Sequence, residues 1–190
     1  MRNLVTTVVA FLAVACGGAV SEPTAETIQQ QASALSPAQG KDKVCGEPFK
    51  GPSWGTTLID IKDVQTTGFV HNLFTGPAIL SGLGLSRIVF PHELFYPTKA
   101  VTGHITITAA NGDELKADVV GSAIPDPNVT GGSILDQTGT FTGGTGRFAD
   151  AEGSFKILGK VAGPVPGTNP FLRDVRVTID GYLERNRDCD

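Results

Sequence analysis

From residue 45 onward the apolar residues recur at every second position, and this period constrains the fold more than any other feature of the chain. A strand sends successive side chains to opposite faces, so a period of two builds a sheet with one apolar and one wet face. Residues 101–109 show it most cleanly. Val101, Ile105 and Ile107 fall on one face, and Thr102, His104, Thr106 and Thr108 on the other. Asn111-Gly112 supplies a hairpin turn. Leu115, Ala117 and Val119 then continue the apolar face, with Lys116 and Asp118 opposite. Phe155, Ile157 and Val161 align against Lys156 and Lys160, and Val175, Val177 and Ile179 against Asp174, Arg176, Thr178 and Asp180. Residues 58–62 read as a strand, and less regular strands are read at 47–54, 67–74, 76–81, 84–96 and 134–142. The Pro- and Gly-rich stretches 125–132 and 163–170 read as loops. About eight or nine strands with hairpin-length connections predict an all-β domain, a small antiparallel closed barrel whose interior is filled or holds one small ligand. A two-sheet sandwich fits the same periodicity.

The segment before the domain has a different character. Met1-Arg2-Asn3 is followed by a mostly apolar run from Leu4 to Ala15 that ends Leu12-Ala13-Val14-Ala15-Cys16. One positive charge before a run of this length has the form of a secretory signal, too short to span a bilayer comfortably. Small residues just before a cysteine resemble a bacterial lipobox, so residues 1–16 are expected to be a signal peptide and Cys16 the lipidated residue. Ordinary cleavage nearby, for example after Ala19, is the competing reading. Residues 17–44 are small and polar and include Gln29-Gln30-Gln31, which reads as a disordered tether ahead of a domain at 45–190. Cys45 and Cys189 then form an even pair at the two ends of that domain. In an exported protein such a pair is expected to be a disulfide, and in a closed barrel the first and last strands are neighbours. Two free thiols or a metal site are the rivals, though two cysteines without a histidine cluster make poor zinc ligands. The formal net charge is −4 and no Lys/Arg cluster occurs. Nucleic acid is therefore not an expected partner, and membrane contact is expected through the lipid anchor only.

The apolar face of the three best-patterned segments, 101–119, 153–161 and 174–180, carries no acid and no histidine. Acid–base chemistry in the interior must therefore come from the poorly patterned regions. The best of these is Phe90-Pro91-His92-Glu93-Leu94-Phe95-Tyr96-Pro97, with an imidazole, a carboxylate and a phenol among aromatics. His92, Glu93 and Tyr96 are the catalytic candidates. Adjacent strand residues point apart, so His92 and Tyr96 share a face and His92 and Glu93 do not. The competing reading is an edge strand kinked by Pro91 and Pro97. His71, near Phe69 and Phe74, and Trp54 are candidate ligand-binding residues, against readings as a mouth or surface histidine and a residue capping the core. His71, His92 and His104 lack metal-ligand spacing, so no metal is expected. Gly51-Pro52-Ser53-Trp54-Gly55 matches the letters of a nucleophile elbow, but a polar, Pro-containing stretch leads into a strand here, and a turn is expected instead. Asn128-Val129-Thr130 matches a glycosylation sequon and is expected to be a turn.

The most specific passage is Gly139-Thr140-Phe141-Thr142-Gly143-Gly144-Thr145-Gly146-Arg147-Phe148-Ala149-Asp150-Ala151-Glu152-Gly153-Ser154-Phe155. It resembles the G-G-T-G-R-F-x-x-A-x-G-S-F signature of bacterial proteins similar to the allene oxide cyclase and dirigent barrel superfamily. The run from Ile107 to Leu115 is similar to the same proteins, as more weakly is Ser81-Gly82-Leu83-Gly84-Leu85-Ser86, where Gly82 stands in place of a histidine. The resemblance covers roughly residues 47–183 and implies an eight-stranded antiparallel barrel with a hydrophobic cavity. Plant allene oxide cyclases close a fatty-acid epoxide and dirigent proteins orient phenoxy radicals. No residue here matches the catalytic positions of either, and fold does not carry function. Read physically, Gly143 to Gly146 permits a sharp turn, Phe148 plugs the core, and Gly153 allows a bend. Arg147 is expected to be exposed or paired with Asp150 or Glu152. The glycine run lacks the phosphate-loop pattern, so no cofactor is expected.

Three functions fit these observations. The leading one is an exported binding module that holds a small apolar or amphipathic ligand. The second is a cyclase- or isomerase-like enzyme acting by steric confinement, with His92, Glu93 and Tyr96 as polar helpers. The third is a structural or interaction protein with a filled barrel.

Overall fold

A computed structural model describes residues 46–185. It contains eight strands: β1 (Glu47–Asp60), β2 (Phe69–Leu80), β3 (Gly84–Phe95), β4 (Ala100–Ala109), β5 (Glu114–Pro125), β6 (Ser133–Gly144), β7 (Glu152–Val161) and β8 (Leu172–Glu184). Each pairs antiparallel with the next, and β8 returns to β1, so the sheet is a closed barrel. The strand order settles the choice between barrel and sandwich. Closure also removes every unpaired sheet edge. A one-turn helix α1 (Val64–Thr67) lies between β1 and β2, and a 3₁₀ turn (Gly146–Phe148) between β6 and β7.

Two strands run through positions where the sequence predicts breaks. The separate strands 47–54 and 58–62 are one strand, β1, and 67–74 and 76–81 are one strand, β2, with residues 67 and 68 given to α1 and its left-handed cap. The expected turn at 51–55 is thus mid-strand. The reason is close backbone approach rather than turning. Ser53 pairs with Ala78 and Thr56 with Thr75. A Cβ on Gly55 would lie 2.2 Å from the Thr75 carbonyl oxygen, and one on Gly76 2.1 Å from that of Trp54. Glycine here lets the two chains approach, and the ladder continues through them.

The interior divides into two halves. At the end where β1 begins and β6 ends, the barrel is filled. Phe49, Phe141 and Phe155 pack ring to ring with centroids 4.9–5.4 Å apart. Leu80, Ile107, Leu115 and Leu183 surround them. Phe148, delivered by the 3₁₀ turn and fully buried, belongs to the same core, as the sequence predicts. Gly143 (φ +98°) and Gly146 (φ +56°) turn the chain there in left-handed conformations open to glycine. Arg147 pairs with Asp113, at 3.8 Å, rather than with Asp150 or Glu152, because the β4–β5 hairpin brings Asp113 beneath the 3₁₀ turn, where it also accepts from the Arg147 backbone N–H. The opposite half of the barrel is hollow.

Candidate binding cavity

The cavity measures about 130 Å³. Its walls are the inward positions of the strands toward the end where β1 finishes and β2 begins. Phe74, Ile105, Leu135, Ile157 and Val175 are among the apolar side chains that line it. The alternation in the sequence explains the apolar character, since each of these residues shares parity with the buried face of its strand. The cavity reaches the barrel end at Leu94, Ser133 and Val161, which are only half-buried. Gly131 joins this rim from the β5–β6 loop. That loop is tied down by Asp126, whose side chain is only 1% exposed. The carboxylate accepts from Lys160 Nζ at 2.8 Å and from the Asn128 backbone N–H at 2.9 Å. The Lys160 hydrogen bond, followed by the Asn128 one, holds the Asp126 carboxyl below its ordinary range.

Five polar side chains line the cavity: Ser133 at the rim and, within the apolar wall, Thr57 on β1, Asn72 on β2, His92 on β3 and Gln137 on β6. Asn72 and His92 are direct cross-strand neighbours. In a ring of eight strands, β6 lies opposite β2, so Gln137 faces Thr57, Asn72 and His92 across the cavity. Thr57 is 5% exposed and Gln137 3% exposed. The Thr57 hydroxyl is buried without a hydrogen-bond partner. Asn72 Nδ2 donates to the Val70 carbonyl at 3.4 Å, which leaves its Oδ1 as an acceptor. His92 Nδ1 lies 3.1 Å from the Phe90 carbonyl. A carbonyl only accepts, so this bond puts the proton on Nδ1 and leaves Nε2 a bare acceptor in the neutral ring. The imidazole stacks on Phe90, with centroids 4.3 Å apart. Burial pushes its pKa below the usual histidine value, only partly offset by the bond to Phe90. Space for the ring comes from the facing Gly103, where a Cβ would lie 2.6 Å from His92 Cβ.

The other sequence candidates lie elsewhere. Glu93 points outward, with its carboxylate 3.3 Å from His71 Nδ1, and His71 is also 3.9 Å from Asp63. Tyr96 falls just past the end of β3, 57% exposed, with Lys99 Nζ 3.3 Å from its ring centroid. Trp54 is on the outer face of β1, 42% exposed. His104 is outward on β4, with Nδ1 2.6 Å from Asp118 Oδ1. Ser53 is buried in mid-β1 and its hydroxyl donates to the Pro77 carbonyl at 3.0 Å, as a structural serine does. Asn128 sits in the β5–β6 loop, with its backbone N–H held by Asp126. Of the catalytic candidates, then, only His92 lines the cavity, and it is the only titratable residue among the described lining residues. No group of three or more His, Cys, Asp or Glu among the described residues could hold a metal ion. Cys16, Cys45 and Cys189 lie outside the described residues.

Thr57, Asn72 and Gln137 are not singled out by sequence reasoning. The signal that could have found Asn72 and Gln137 is parity: Asn72 alternates with Val70 and Phe74, and Gln137 with Leu135 and Phe141. Thr57 has no such signal, because it falls in the gap between two strands read as separate.

No protein-family model and no curated protein matches the chain. Among solved structures, the barrel is similar to that of a pterocarpan synthase dirigent protein. The two share 12% identity over 74% of this chain and 88% of that one, with a TM-score of 0.39.

Proposed function

We propose that the barrel is a binding module that holds one small apolar or amphipathic molecule in its open half. The observation that carries this reading is the division of the interior: one half is packed by aromatic rings and the other keeps an apolar cavity of about 130 Å³ that reaches the barrel end. A concave, mostly apolar space with a few convergent polar groups is the usual form of a small-molecule site. The size limits the guest. An apolar cavity of about 150 Å³ accommodates benzene, so the fitting molecule is a single small ring or a short branched chain, and a long acyl chain would protrude. Toluene is the direct probe. Saturating toluene is expected to raise the melting temperature of the full chain as binding to the native state requires, and Leu135→Phe, which fills the space, is expected to remove most of that rise. A melting temperature that toluene leaves unchanged in the parent protein would refute the reading.

In the same proposal the domain works outside the cytoplasm, tethered through an acylated Cys16 and stapled by Cys45–Cys189. The pairing of β1 and β8, with Glu47 beside Leu183, supports the staple, because in the sequence Cys45 precedes β1 and Cys189 follows β8. Labelled palmitate incorporated only when Cys16 is present, and a Cys45–Cys189 peptide in a non-reducing mass map, are the expected results. Label retained in Cys16→Ser, or two alkylatable thiols in the native protein, would count against them.

A further inference from the structure

We infer that the guest is an uncharged alcohol: a compact molecule of roughly six to eight non-hydrogen atoms carrying one hydroxyl group, bound with that group at Thr57. This deepens the binding-module reading and rests on it.

Charge is settled by the lining. Its described residues include no Lys, Arg, Asp or Glu, and burial shifts the one titratable group, His92, toward its neutral form. A carboxylate or ammonium drawn into this space would lose its hydration and find no counter-charge, which strongly disfavours it. A wholly apolar guest fits the walls but leaves the polar groups as they are. Thr57 Oγ1 is buried and unpartnered, and a buried hydroxyl without a partner is costly until something bonds to it. The guest that relieves this gains affinity for that reason alone.

The remaining polar atoms choose among neutral groups. Asn72 gives one of its two Nδ2 protons to Val70 and keeps Oδ1 as an acceptor. His92 has spent Nδ1–H on Phe90 and presents Nε2. This side of the cavity therefore offers two acceptors, on the neighbouring strands β2 and β3, and one hydroxyl on β1. A ligand carbonyl could accept from Thr57 but would leave both acceptors unserved. A ligand hydroxyl both accepts, as from the Thr57 O–H, and donates, as to an acceptor on the same wall, so one group can answer both needs. Gln137, on the opposite wall, adds an amide that can pair with either partner of such a bond.

Titration of the full chain with toluene, benzyl alcohol and benzoate separates the possibilities, since the three share a ring and differ in the attached group. Benzyl alcohol is expected to bind about tenfold more tightly than toluene, the ratio one net hydrogen bond supplies, and benzoate at least tenfold more weakly than benzyl alcohol. Thr57→Val, which keeps the shape of the side chain, is expected to bring benzyl alcohol down to the affinity of toluene while toluene itself keeps or improves its binding. Equal affinities for toluene and benzyl alcohol in the parent protein would overturn the alcohol assignment and leave the binding module standing. Tightest binding of benzoate would do the same. Failure of all three to bind would remove the binding module together with this inference.

Discussion

At the scale of single residues, the hollow half of the barrel sets ligand chemistry against stability. His92 shows the conflict. Its ring is stacked on Phe90 inside an apolar wall, and burial holds its pKa below the ordinary value of 6.5. The sign of the pH effect follows from that. Below pH 6.5 the unfolded chain takes up a proton that the folded ring resists, so the unfolded state binds more protons and folding stability falls as pH drops, until the folded ring protonates as well. Well above 6.5 the ring is neutral in both states and contributes no slope. Urea unfolding at pH 7.5 and 5.5 checks this. The native protein is expected to lose more stability between the two than His92→Leu does, and parallel losses would show that the ring is as free to protonate in the fold as outside it. These same residues show what sequence reasoning could and could not reach. The inward parity of Ile105, Ile107, Phe155 and Ile157 is plain in the sequence because each stands in a run of clean alternation. Asn72 and Gln137 obey the same parity, but a polar residue at an inward position looks like a fault in the pattern until the barrel shows a cavity there. Glu93 and Tyr96 share a sequence neighbourhood with His92 and not its surroundings, because one faces the opposite side of the strand and the other lies past its end.

At the scale of elements, the two barrel ends differ because their connections differ. At the filled end the 3₁₀ turn Gly146–Phe148 pushes Phe148 into the core, and Phe49, Phe141 and Phe155 take up the space beneath it. Phe148→Ala is expected to cost about 3–5 kcal/mol of folding stability, the range for deleting a buried ring, measured as a lowered urea midpoint. A loss near zero would mean that the ring does not support the plug. The glycine passage before Phe148 was legible as a turn, and its role as the carrier of a core residue follows from the bulky residue that ends it. The strand breaks read between residues 54 and 58 and between residues 74 and 76 are not breaks. Two glycine-containing stretches facing each other across a ladder look the same in sequence as two turns, and only the register of β1 against β2 distinguishes them. At the open end the β5–β6 loop is pinned by the Asp126–Lys160 pair, which fixes the rim beside Gly131 and Ser133.

At the scale of the whole molecule, an eight-stranded closed sheet has an interior that side chains can just fill or that can hold one small guest. This barrel does both, one in each half, and that division is the centre of the account. The all-β character and the succession of antiparallel strands follow from the alternation and from short hairpins, whereas closure is decided by the pairing of β8 with β1, since a sandwich fits the same periodicity. The emptiness of one half does not follow from the alternation either, because periodicity reports which residues point inward and not how much volume they occupy there. The most direct test is a methyl-detected NMR titration of the full chain with toluene. Saturable shifts are expected at the inward methyl groups of Leu135, Ile157, Val175 and Val177, with the outward Leu58, Leu73 and Leu158 unmoved. Shifts confined to the outward leucines, or none at any methyl group, would contradict an interior binding site.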